Sequence, residues 1–232
     1  MRLRILSILA LGALLAGTAS AAQASGARPS LGGRGTAVKI AAPNAPDLTT
    51  LYDQNDNDSG VGITSQNFET SLDAYDGQGA DDFVVPAGIK KWKVKKVNVT
   101  GVYYNGSGPA VSENIFFYKD AGGLPGTLKS TQTVVGTDNG LGSFSILLTT
   151  PVALKPGHYW VSVQANMDFG VGGQWGWEGR TVQGGLDPAA WQNPGDGFGT
   201  GCTSWGVEVT CLGDFGQGPD FMFSLQGKVI PL

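Results

Sequence analysis

Between Tyr159 and Ala165 the chain alternates with period two. Tyr159, Val161, Val163 and Ala165 share one side, and Trp160, Ser162 and Gln164 share the other. That pattern fits a strand with one buried face and one more polar face, and no stretch of the chain carries a sustained helical period. Shorter apolar or alternating runs over 82–86, 92–99, 115–118, 131–135, 143–148, 174–178 and 221–226 add further strands. At Lys95-Lys96 the alternation slips by one residue and resumes at Val97 and Val99, the mark of a bulge. The 37 glycines follow no three-residue period, so they read as turns and surface loops rather than collagen. The expected fold is all-β: an antiparallel sandwich of jelly-roll kind with long Gly-rich loops, notably over 179–218.

The first residues set the compartment. Arg2 and Arg4 form a basic head, residues 5–15 an apolar run, and Gly17, Ala19, Ala21, Ala22 and Ala24 a small-residue exit. Together they predict a secretory signal peptide over 1–24. The apolar run falls short of the roughly 20 residues a membrane span needs. Residues 25–50, rich in Gly, Ala and Pro, are expected to form a poorly ordered leader, and 51–232 a single sandwich domain. The predicted location is secreted, extracellular or periplasmic, with no membrane anchor. A net charge of −4 without a clustered Lys/Arg face argues against nucleic acid as a partner. Lys90, Lys91, Lys93, Lys95 and Lys96 read as charges guarding an edge strand. The only cysteines, Cys202 and Cys211, predict one disulfide that staples the long loops.

Few residues suggest catalysis. The single histidine, His158, follows Pro156-Gly157 and opens a strand. No Gly-x-Ser-x-Gly elbow accompanies it, so it reads as a turn-edge residue rather than a catalytic base. A catalytic zinc with two or three histidines is likewise not expected. Glycoside hydrolysis would need two carboxylates. Glu178 lies beside Trp175 and Trp177, and an Asp such as Asp81 or Asp82 could serve as its partner, but no recognisable spacing pairs it with a second carboxylate. Calcium is the one candidate cofactor. Asp53, Asn55, Asp56, Asn57 and Asp58 crowd hard oxygens into six residues, though the same cluster also reads as a solvated Asx-rich turn. Trp175 and Trp177, two apart, face one side of a strand, where they form either a stacking platform for sugar rings or part of the core. Trp191 and Trp205 lie in glycine-rich loops and complete the candidate ligand-binding set.

Several blocks resemble a module of exported bacterial proteins. One is Ala80-Asp81-Asp82-Phe83-Val84-Val85-Pro86, followed by Trp92 and the strand through Gly101 and Tyr103. A second is Phe117-Tyr118-Lys119-Asp120 leading into Gly123-Leu124-Pro125-Gly126. A third runs from Leu154-Lys155-Pro156-Gly157-His158-Tyr159-Trp160-Val161 to Trp175 and Trp177. The resemblance implies a β-sandwich accessory domain and an exported location, and fixes no activity. The favoured function is a non-catalytic binding or adhesion module that contacts extracellular polysaccharide or a surface protein. The alternative is a structural protein of the envelope or extracellular matrix without a small ligand. A glycan-active hydrolase ranks behind both.

Overall fold

The computed structural model describes residues 27–40, 48–88, 90–215 and 218–232; the expected signal peptide lies outside them. In chain order the first strands are β1 (Gly32–Gly33), β2 (Thr49–Asp53), β3 (Asp58–Thr64), β4 (Gln66–Asn67), β5 (Gln78–Val85) and β6 (Lys90–Val99). Then come β7 (Gly101–Tyr104), β8 (Ser112–Asp120), β9 (Pro125–Val134), β10 (Thr137–Asp138), β11 (Phe144–Leu154) and β12 (Gly157–Asn166). The last are β13 (Gln174–Arg180), β14 (Ala190–Gln192), β15 (Gly206–Val207), β16 (Asp220–Phe221) and β17 (Phe223–Pro231).

Two layers face each other. One layer bends between two sheets, ordered β1-β3-β13-β16 with β7 also on β13, and β10-β11-β6-β17-β2. Only Thr100 separates β6 from β7, and only Met222 separates β16 from β17. The ladder bridges these breaks: Thr100 N donates to Met222 O at 3.1 Å, and Met222 N to Glu178 O at 2.9 Å. The other layer is ordered β15-β14-β5-β12-β8-β9, with β4 added parallel to the end of β12. Among the described residues all other strand pairs are antiparallel, and the two layers packed face to face make the fold a sandwich.

Between the layers lies an aromatic core. Phe83 on β5 stacks 6.1 Å from Trp92 and from Tyr159, and meets Phe223 at 6.5 Å. Tyr159, Val161, Val163 and Ala165 turn inward from β12 and are buried, as the alternation predicts. The slip at Lys95-Lys96 is a bulge: Gln226 of β17 pairs with Lys96 and Gly227 with Val94, so Lys95 is skipped.

The lysine run requires a correction. β6 is not an edge strand, because β11 pairs with one side of it and β17 with the other. Lys91 and Lys93 stand on the side of this central strand opposite the core residues Trp92 and Val94, Lys90 is exposed at its start, and Lys96 is buried. Part of segment 27–40 also packs on the sheet. β1 pairs with β3, and Gln174 Nε2 donates to Ser30 O at 2.8 Å. Cys202 and Cys211 form the disulfide, with Cα atoms 5.8 Å apart. Among the described residues no helix is long and apolar enough to cross a membrane.

Candidate functional site

The face of the β5-β12-β8 sheet turned away from the other layer carries the second half of each alternation. His158, Trp160, Ser162, Gln164 and Asn166 stand on this side of β12. Register places Asp82 beside Trp160, Ala80 and Phe116 beside Ser162, and Asn114 beside Gln164. The middle of the face is aromatic. Phe116 and Tyr118 stack at 6.1 Å, and Trp205, half-buried, meets Tyr118 edge-on at 5.8 Å. Amides surround this strip. Gln78 Nε2 donates to Ser162 Oγ at 2.9 Å and to Tyr118 Oη at 3.1 Å, and Gln192 Nε2 to Gln78 Oε1 at 2.9 Å. Asn114 Nδ2 donates to Asn166 Oδ1 at 2.9 Å, and Asn166 Nδ2 returns a bond to Asn114 Oδ1 at 3.0 Å. These mutual bonds hold the amides in fixed positions, while Gln164, Gln192, Asn114 and Asn166 stay partly exposed.

At one end of the face lies an acidic group around His158. The Asp82 side chain has no exposed surface. Its Oδ2 lies 2.5 Å from His158 Nε2 and accepts from Leu186 N at 2.8 Å and Asp187 N at 3.3 Å. Its Oδ1 is buried without a partner. A Cβ at Gly185 would overlap that Oδ1, so only glycine lets the 184–187 backbone lie across the carboxyl. Burial raises the Asp82 carboxyl, opposed by the Leu186 N–H and the imidazole. His158 Nδ1 lies 3.5 Å from Asp120 Oδ1 and 3.9 Å from Asp187 Oδ2. Asp120 is held by Trp160 Nε1 and by the N–H groups of Gly122 and Gly123, each at 3.0 Å. Partial burial pushes Asp120 up, but these donors outweigh it and hold it below the usual carboxylate range.

Beneath this group is a second layer of buried polar side chains. Asp81 points inward, accepting from Gln54 Nε2 at 2.7 Å and Phe221 N at 2.6 Å. Burial and nearby Asp220 push Asp81 well up. Asp220 accepts from Gly184 N and leaves its Oδ1 unpartnered. Arg180 caps the end through Asp56, 2.7 Å away, and also donates to Val182 O.

No family model, no curated protein and no solved structure matches this chain.

The four tryptophans do not form a platform. Trp175, Trp177 and Trp191 each have 0% exposed area, which corrects the expectation that they stack on a ligand. Each indole N–H is spent inside: Trp175 on Gly142 O, Trp177 on Met222 O and Trp191 on Thr64 O. Trp177 also stacks on Phe221 at 4.9 Å. Trp205 alone of the four keeps an open edge.

The 53–58 oxygens cap local turns. Asp53 Oδ1 accepts from Asn55 N at 3.0 Å, and Asp58 Oδ1 from Gly60 N at 2.7 Å. Asn55 Oδ1 accepts from Thr100 Oγ1, Asp56 pairs with Arg180, and Asn57 takes a positive φ of 56°. Among the described residues the one group of three His, Cys, Asp or Glu side chains within ligand reach is Asp82, His158 and Asp187. Glu178 is fully buried on β13 with both oxygens unpartnered, on a different sheet from Asp82. Burial, then adjacent Asp58, raises it to about 9.

Sequence reasoning read His158 as a turn-edge residue, Asp82 as a possible partner of Glu178 and Trp160 as part of the β12 alternation, and named Asp120 only within a resemblance block. It did not gather them into a site. The available signal was the polar half of the 158–166 alternation, extended across the neighbouring strands.

Proposed function

We propose that this chain is a non-catalytic binding module of an exported protein, and that it contacts polysaccharide through the outer face of the β5-β12-β8 sheet. One observation carries the reading. Phe116, Tyr118 and Trp205 form an aromatic strip bordered by the fixed amides of Gln78, Gln192, Gln164 and Asn114. Aromatic rings cover the apolar faces of sugar rings, and preset amides meet hydroxyl groups at little entropic cost. Support for export comes from the predicted signal peptide, the resemblance of the three blocks, and the disulfide, which suits a non-cytoplasmic compartment.

The test is retention of the protein on a panel of soluble and insoluble polysaccharides. Saturable retention on one class of glycan supports the reading. Failure on every glycan, with concentration-dependent self-association in light scattering, replaces it with a structural role.

A further inference from the structure

We propose that the glycan taken by the outer face is uncharged and carries adjacent free hydroxyl groups, and that Gln192 is the side chain that reads them. The inference rests on the glycan reading above and narrows it to one class of sugar.

The hydrogen-bonding groups of the face single out Gln192. A primary amide has two N–H donors and a carbonyl oxygen with two lone pairs. Asn114 spends all of them. Its Nδ2 donates to Gln164 Oε1 at 3.2 Å and Asn166 Oδ1 at 2.9 Å, and its Oδ1 accepts from Thr133 Oγ1 and Asn166 Nδ2. Gln78 spends both N–H groups on Ser162 and Tyr118 and accepts from Gln192. Among the described residues Gln192 makes only that last bond. It anchors the amide and leaves one N–H and the whole of Oε1 unspent on a partly exposed side chain.

The position of Gln192 agrees. β14 pairs with β5 so that Gln192 stands opposite Gln78 and Ala190 opposite Ala80, while Trp191 between them turns into the core. Ala190 pairs with Val207 and Trp191 with Gly206, so the same antiparallel ladder, carried one step further, sets Gln192 beside Trp205. Trp205 packs on the cluster of Ala80, Ala190, Tyr118 and Trp160. A sugar ring stacked on Trp205 therefore brings its edge groups to Gln192.

Adjacent hydroxyls each donate and accept, so a pair of them meets the free N–H and Oε1 together. An acetamido group in place of one hydroxyl holds its N–H and C=O on opposite sides of a trans amide. One of the two then faces away from Gln192 and the match is lost. Charge narrows the class further. By alternation the charged residue types on this side of β5, β8 and β12 are Asp82, Asp120 and His158, and His158 is already engaged by Asp82. A carboxylate or sulfate on the glycan finds no free cation on these strands and meets repulsion from Asp120 at their end.

The experiment measures retention of the protein on immobilised glucans, mannans and xylans, on chitin and on polygalacturonate. Wild type, Gln192→Ala and Trp205→Ala are compared. The expected result is saturable retention of the wild type on at least one of the neutral glycans, with none on chitin or polygalacturonate. Gln192→Ala should bind that glycan about tenfold more weakly, as the loss of one or two ordinary hydrogen bonds gives. Gln192→Met, close in size and without hydrogen-bonding groups, should do the same with a melting temperature near that of the wild type. Chitin or polygalacturonate bound as tightly as the neutral glycans overturns the inference, and so does wild-type affinity in Gln192→Met. In either case loss of retention in Trp205→Ala keeps the glycan reading itself intact. A wild type retained on none of these glycans removes both.

Discussion

Trp177 and Trp205 show how differently two residues of one type serve this chain. Trp177 is enclosed by Phe221 and Phe223, and its removal leaves a large cavity. Trp177→Ala or Trp191→Ala should lower stability by about 3–5 kcal/mol. Trp205→Ala, at a half-buried position, should cost far less. Urea midpoints of the three variants check this, and equal losses would contradict it. Gly185→Ala should also destabilise, because its Cβ would meet the Asp82 carboxyl. Residue-scale legibility was limited for a clear reason. A spacing of two says that Trp175 and Trp177 share a side, but the side that is buried depends on which layer lies against β13. Trp191 sits in a glycine-rich stretch, yet Thr64, 127 residues earlier, takes its N–H. Nothing local in the sequence marks that contact.

At the level of elements, patterns within a strand were legible and pairings between distant strands were not. The β12 alternation, the Lys95 bulge and the disulfide-stapled loops all follow from neighbouring residues. The central place of β6 does not, because β17, which flanks it, comes from the other end of the domain. The acidic group around His158 is likewise assembled from β5, the end of β8, the start of β12 and the 184–187 loop, with Asp82 and Asp187 separated by 105 residues. The disulfide closes a loop of sequence separation 9, for which chain entropy gives about 2.7 kcal/mol. Reduction should therefore lower the thermal midpoint. It should also raise amide exchange selectively over 193–212, while β5, β8 and β12 stay protected. Uniform loss of protection would show that the staple supports the whole sandwich rather than these loops.

For the whole molecule, buried acids set the pH response. Burial raises Glu178 to about 9, Glu208 to about 8, Glu113 to about 7, and Asp76 and Asp220 to about 6. The folded chain holds these protons after the unfolded chain has lost them. Their stabilisation is complete below about pH 4 and is lost as the pH rises through each folded value, at up to about 1.4 kcal/mol per pH unit per group. Asp56, lowered by its bond from Arg180, acts in the opposite direction, and its contribution is already complete by the same lower limit. The denaturation midpoint should thus fall between pH 5 and pH 9, and Glu178→Gln should flatten the upper part of that fall. A midpoint that rises with pH would contradict this.

The central claim is that the outer face of the β5-β12-β8 sheet is the contact surface. It is tested most directly by comparing retention of wild type, Trp205→Ala and Lys93→Ala on the glycan that holds the wild type best. Lys93 serves as the control because it lies on β6, in the opposite layer. The account predicts that Trp205→Ala elutes early with only a small fall in melting temperature, while Lys93→Ala is retained like the wild type. Equal retention of Trp205→Ala and wild type, or loss of retention in Lys93→Ala alone, would contradict it.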